Sequence, residues 1–197
     1  DDLSDSSPIQ GSDGWWESSW MGAFYAESYP WIYHQDLGWL FVHLDSPLGS
    51  WMYHPRLGWL WTMPNVFPHL FLSKQNQWFH VNQSTAKTTI YDYQEEEWFE
   101  PDTPITISAK EESHLGGEVT GYGNYYRWDP VILEAQANEN YNFAGWSGGM
   151  NSMEQMIEFE ALRNLEVDAS FLAIPTPNMS AQEVLGQASD ILDKMDH

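Results

Sequence analysis

The sequence predicts a mainly β protein: an aromatic β-hairpin repeat, running as a meander or solenoid, then a small β-domain and a C-terminal amphipathic helix. Three observations carry this. An aromatic segment recurs at a spacing of 20 residues in the first half. Alternating apolar and polar runs, the period of a half-buried strand, fill most of the second half. A stripe of apolar residues at helical spacing closes the chain.

The repeat comes first. Trp31-Ile32-Tyr33-His34-Gln35-Asp36-Leu37-Gly38-Trp39-Leu40-Phe41 returns as Trp51-Met52-Tyr53-His54-Pro55-Arg56-Leu57-Gly58-Trp59-Leu60-Trp61, with Trp, Tyr, His, Leu, Gly, Trp and Leu kept in place. A fainter register continues it, with Phe71 and Tyr91 in step with Trp31 and Trp51, Tyr93 with Tyr33 and Tyr53, and Phe79 and Phe99 with Trp39 and Trp59. Trp, Tyr, Phe and Ile favour strands, and Gly38 and Gly58 supply the positive φ of a tight connection, so each unit reads as a hairpin. One hairpin cannot bury its face alone, and consecutive ones must pair or stack. Residues 15–25 read as a degenerate first unit behind a polar segment, 1–14. The module spans 15–100, and Glu95-Glu96-Glu97 with Pro101 and Pro104 marks its end.

Aromatics and acids are distributed unequally between the halves. Residues 1–100 hold 10 of the 12 Trp, whereas 101–197 hold two, so two different modules share the chain. In the second, strands are expected at 105–108, 117–120, 131–135, 141–144, 156–159 and 165–171. Ala173-Ile174-Pro175-Thr176-Pro177-Asn178 reads as a stiff linker within 173–179. Ser180 with Glu183 forms a capping box for a helix over 180–196, whose Val184, Leu185, Ala188, Ile191, Leu192 and Met195 make one apolar, partner-seeking stripe.

Composition bounds the partners. The 197 residues carry 29 Asp+Glu against 7 Lys+Arg, a formal charge of −22, with no Cys. Such a chain lacks the clustered cations that phosphate recognition needs, which excludes nucleic acid and anionic membranes as partners. Its 16% aromatic content separates it from acidic disordered chains. No apolar run is long enough to span a membrane. The polar start is no signal peptide, so an extracellular protein is expected to have had its signal removed.

The second module resembles a known family. Gly117-Glu118-Val119-Thr120-Gly121-Tyr122-Gly123-Asn124-Tyr125, Tyr141-Asn142-Phe143-Ala144-Gly145-Trp146-Ser147-Gly148 and Val167-Asp168-Ala169-Ser170-Phe171 occur in the order seen in the divergent internalin-type B-repeat of bacterial surface proteins. The resemblance covers about 104–172. It departs at Asn140, where the family usually has Gly, and no basic residue lies near the Gly-Trp-Ser-Gly turn. It implies a small β-domain acting as a spacer or interaction unit, with no catalytic residues to carry over. The first module resembles the aromatic 20-residue hairpin repeats of secreted bacterial surface proteins and is similar in style to those of choline- and glucan-binding proteins, without their Lys- and Asp-rich connectors.

Candidate chemistry is sparse. Gly145-Trp146-Ser147-Gly148-Gly149 matches the G-x-S-x-G elbow of hydrolases, but no βαβ alternation surrounds it and the B-repeat likeness accounts for the turn. His34 and His54 occupy equivalent positions and imidazole is a good ligand, yet repetition alone places them together, and neither a metal nor any other cofactor is expected. No pair of the 29 acids is singled out by its context for glycoside hydrolysis. The unusual feature is the aromatic set Trp31, Tyr33, Trp39, Trp51, Tyr53, Trp59 and Trp61. Trp39-Leu40-Phe41 and Trp59-Leu60-Trp61 put bulky residues on both strand faces, so cover is expected for both. The functional expectation is a non-enzymatic, extracellular or cell-surface structural and adhesive protein. It would self-associate in a filament, array or sheath or bind other surface proteins. The alternative is a polysaccharide- or cell-wall-binding module.

Overall fold

The computed structural model describes residues 5–44, 48–83, 87–109 and 116–174, which divide into two units, one ending at Pro104 and the other beginning at Ile105. The 180–196 helix and its six stripe residues, with most of the 173–179 linker, lie outside the described residues.

The first unit is one antiparallel meander of eleven strands in sequence order. It opens with β1 (Ser7–Pro8), β2 (Trp15–Ser18), β3 (Gly22–Tyr25), β4 (Trp31–His34), β5 (Gly38–Leu44) and β6 (Ser50–His54). It continues with β7 (Gly58–Thr62), β8 (His69–Leu72), β9 (Gln77–Val81), β10 (Ile90–Asp92) and β11 (Glu97–Phe99). The expected hairpins are β4–β5, β6–β7, β8–β9 and β10–β11, with β2–β3 as the degenerate first unit. The segment expected to be merely polar contributes the edge strand β1, where Ser7 pairs with Glu17.

Alternation sorts each strand into two faces. Inward go Ile32, Leu40, Val42, Met52, Leu60, Leu70, Leu72, Phe79, Val81 and Ile90, all at most 4% exposed. Outward go the aromatics. The expectation that both faces need outside cover is therefore corrected: Leu40 and Leu60 point in while their aromatic neighbours point out, and the inner face covers itself. The sheet twists and curls, which brings elements distant along the meander together. Trp20 before β3 meets Phe67 before β8 with ring centroids 6.0 Å apart, and His34 on β4 meets the same ring at 5.8 Å.

Four of the hairpin turns, β2–β3, β4–β5, β6–β7 and β10–β11, are built on one plan. An acceptor side chain at the last residue of the first strand caps the N–H groups two and three residues on. Ser18 Oγ takes those of Trp20 and Met21. His54 Nδ1 takes those of Arg56 and Leu57, and His34 Nδ1 that of Asp36. Asp92 Oδ1 takes those of Gln94 and Glu95. The residue four positions after the end of the first strand is left-handed: Gly38 (φ 71°) and Gly58 (φ 76°), then Asn76 (φ 54°), where the strand ends at Leu72 without a capping side chain, and Glu96 (φ 56°) in the later hairpins. There the connection is one residue longer, since His34 pairs with Gly38 but Asp92 with Glu97. That residue overturns the fainter register. Trp78 and Trp98 are the counterparts of Trp39 and Trp59, Phe71 and Tyr91 answer to Tyr33 and Tyr53, and Phe79 points inward.

The second unit has β12 (Ile105–Ser108), β13 (Gly117–Thr120), β14 (Gly123–Tyr125), β15 (Pro130–Ala137), β16 (Tyr141–Gly148), β17 (Met156–Glu160) and β18 (Leu165–Ala173). They form a four-stranded sheet, β14-β12-β18-β16, and a three-stranded sheet, β13-β15-β17. Strands β12 and β18 run parallel, with Ile107 opposite Leu165. Ile107, Val131, Leu133, Trp146, Ala161 and Val167 sit in the shared core. Asn140 holds φ 66°, so it fills the left-handed position of the family's Gly, a conformation Asn tolerates better than most residues. The Gly-Trp-Ser-Gly segment, expected as a turn, is strand: β16 bulges between Phe143 and Gly145 and then pairs with β18 as far as Gly148.

Candidate functional site

The outer face of the first unit carries a ladder of aromatic rings. On each hairpin, the pair nearest the turn sits edge to face across the strands. Tyr33–Trp39, Tyr53–Trp59 and Phe71–Trp78 have centroids 5.4–5.5 Å apart, and Tyr91–Trp98 follows at 5.2 Å and a tilt of 58°. Rings of neighbouring hairpins join these pairs: Trp15 meets Tyr33, His43 meets Trp59, Trp61 meets Trp78, and His80 meets Trp98. Such contacts contribute about 0.5–1.5 kcal/mol each beyond burial, enough to hold the rings in fixed orientations.

Of the seven residues expected in this set, Trp31, Tyr33, Trp39 and Trp59 are 38–45% exposed, whereas Trp51, Tyr53 and Trp61 are half-buried within the ladder. The sequence reading omitted Trp78 at 41% and Trp98 at 50%. The lengthened turns hid them, since Asn76 and Glu96 replace the Gly that marks the first two repeats.

The paired histidines act within the fold. His34 Nε2 donates to the Met21 carbonyl at 2.7 Å, and His54 Nε2 to the Leu37 carbonyl at 3.0 Å, so each ties its own turn to the turn before. Both Nδ1 atoms accept backbone N–H groups, which assigns the neutral Nε2–H tautomer to each ring and leaves neither a lone pair for a metal. Burial pushes both imidazoles below their ordinary range.

At the β4–β5 turn lies a cleft of about 500 Å³. Its lining includes the aromatic Tyr33 and Trp39 and the polar Gln35, Lys87, Glu100 and Asp102. Lys87 Nζ stands 3.3 Å from Glu100 Oε2, which also accepts from Thr103 Oγ1 at 2.9 Å. Those two hydrogen bonds, Thr103 first, hold the Glu100 carboxyl below its usual value. Arg56 Nε lies 3.4 Å from Asp102 Oδ1. The sequence reading missed this polar lining because residues of the 87–103 segment meet the β4–β5 turn only through the curl of the sheet.

In the second unit, Ser147 is exposed near the end of β16, opposite Asp168, and no helix follows it among the described residues, so the strand–turn–helix geometry of a nucleophile elbow is not present there. Trp146 beside it is a core residue, 4% exposed, whose Nε1 donates to the Glu154 carbonyl at 2.8 Å.

The architecture is thus an aromatic hairpin meander followed by a two-sheet β-domain. Residues 104–175 match the family model described as a divergent InlB B-repeat domain, in agreement with the resemblance read from the sequence. No curated protein and no solved structure matches the chain. A B-repeat domain points to a surface-associated bacterial protein. No helix among the described residues is long and apolar enough to cross a membrane.

Proposed function

We propose that the chain is a non-enzymatic, extracellular structural and adhesive module of a bacterial surface protein, and that the outer ladder of the first unit is its contact face, engaging further copies of the chain in a filament, array or sheath. The supporting observation is the half-exposed Trp at the turn end of four successive hairpins: Trp39, Trp59, Trp78 and Trp98. Rigid, partly exposed Trp and Tyr are the residues that anchor protein interfaces. The inner face needs no partner, so association falls to the outer one. With a formal charge of −22, copies repel one another until salt screens them, over about 10 Å at 0.1 M.

Sedimentation velocity of the full chain is expected to show larger species that grow with concentration and with salt. Replacing Trp59 and Trp78 together with Ser is expected to abolish them. A monomer at every concentration and ionic strength overturns the reading. The second reading, a carbohydrate-binding module, is favoured by one feature: the Tyr33–Trp39 pair borders a cleft that polar side chains also line.

A further inference from the structure

We propose that the cleft at the β4–β5 turn binds one pyranose unit of a neutral glycan. This rests on the carbohydrate reading above and assigns it a location, a ligand class and a set of contacts. A pyranose has an apolar C–H face and a rim of hydroxyls that both donate and accept. The cleft lining offers both kinds of surface. Tyr33 and Trp39, 39% and 45% exposed, offer ring surface held in place by their edge-to-face contact at 5.5 Å. The polar lining groups include donors, the Lys87 ammonium and the Gln35 amide, and acceptors, the Glu100 and Asp102 carboxylates. The volume, about 500 Å³, lies within the range of small-ligand sites.

Charge decides between ligand classes. Each carboxylate already has a cation beside it, Lys87 at 3.3 Å from Glu100 and Arg56 at 3.4 Å from Asp102, so the cleft holds no uncompensated negative charge to recruit a cationic ligand. An acidic sugar would be repelled by the −22 of the whole chain. A neutral sugar meets neither obstacle. Its hydroxyls can enter the Lys87–Glu100 and Arg56–Asp102 pairs as additional partners, since an ammonium has three donors and a carboxylate several acceptor sites.

Isothermal titration of the full chain with cellohexaose, laminarihexaose and maltohexaose, and with an oligogalacturonate of similar length, tests this. Binding is expected for at least one neutral probe and not for the oligogalacturonate. Trp39→Ala and Glu100→Gln are each expected to raise Kd by about tenfold or more. Lys87 is exposed and distant from the core, so Lys87→Ala provides a variant that folds regardless, with a weakening of the same sign. Amide shift perturbations on titration are expected at residues 35–39 and 87–103. A neutral probe that binds with affinity unchanged in all three variants, and with shifts on other hairpins, overturns the cleft while leaving the carbohydrate reading. Failure of all three neutral probes to bind overturns both.

Discussion

Replacing His54 with Asn isolates the hydrogen bond that ties one hairpin to the next. An Asn there keeps the accepting half of the cap, as Asp92 Oδ1 does for the Gln94 and Glu95 N–H groups at 2.9 and 3.2 Å. Its side chain is too short to reach the Leu37 carbonyl, which His54 Nε2 meets at 3.0 Å. A buried carbonyl left without its donor costs about 1–3 kcal/mol. The pH dependence supplies a second signature. Burial is the main cause of the lowered His54 value, opposed by Asp102 and by the bond to Leu37, while the unfolded chain titrates near 6.5. As the pH falls through that value, the unfolded state takes up a proton that the folded state refuses until a lower pH. Stability therefore declines on acidification by up to about 1.4 kcal/mol per pH unit for each such histidine, and His34 doubles the slope. Urea unfolding of the full chain, followed by Trp fluorescence, is expected to show the variant less stable by about 1–3 kcal/mol at about pH 8. As the pH falls below about 6.5 towards the lowered folded value, the two curves should converge by up to about 1.4 kcal/mol per pH unit, because the variant has lost one titrating group. The acidic residues are common to both proteins and cancel in the difference. A gap that stays constant or widens on acidification refutes the assignment of His54 as a buried, neutral tie.

Further outcomes follow from the same geometry. Trp146→Ala removes a core side chain and the partner of the Glu154 carbonyl, so the second unit is expected to lose about 3–5 kcal/mol in chemical denaturation. Gly38→Ala meets nothing within 4 Å and bears only the left-handed backbone penalty, about 1–2 kcal/mol by thermal unfolding. Gly121→Ala would drive its Cβ into the Ile132 carbonyl oxygen and is expected to cost about 3 kcal/mol or more in the same assay. Spectrophotometric alkaline titration is expected to show Tyr122 ionising late, since burial and then Asp168 push it up to about 12, and Tyr122→Phe should remove that late step. Ser147→Ala is expected to leave any ester hydrolysis by a purified sample unchanged.

How far the sequence was legible depended on how local the physics was. The Trp31–Phe41 and Trp51–Trp61 segments announced their hairpins because aromatic strand formers flank a Gly at fixed spacing, and nothing distant is needed to close such a turn. In the later hairpins, Asn76 and Glu96 hold the left-handed position and the connection gains a residue. Those changes hid Trp78 and Trp98 and put Phe79 on the wrong face in a strict 20-residue register. The six strands expected in the second unit all form, and short β14 was missed. Trp146 read as part of a turn because its neighbours are Gly and Ser, whereas a bulge lets them continue as strand.

By itself the sequence determined the β class, the two modules, the B-repeat likeness and the aromatic character of the first half, since each is written in local spacing and composition. Which face the aromatics occupy was decided by the tertiary structure. Curling the meander buries one face of every strand at once, and the aliphatic residues took the inside, where Ile32, Leu40, Leu60 and Leu70 are fully buried. The same curl turned His34 and His54 from possible ligands into ties between turns, and set residues of the 87–103 segment beside Tyr33 and Trp39. A hairpin's alternation states that it has two faces, and only the closing of the sheet decides which of them meets water.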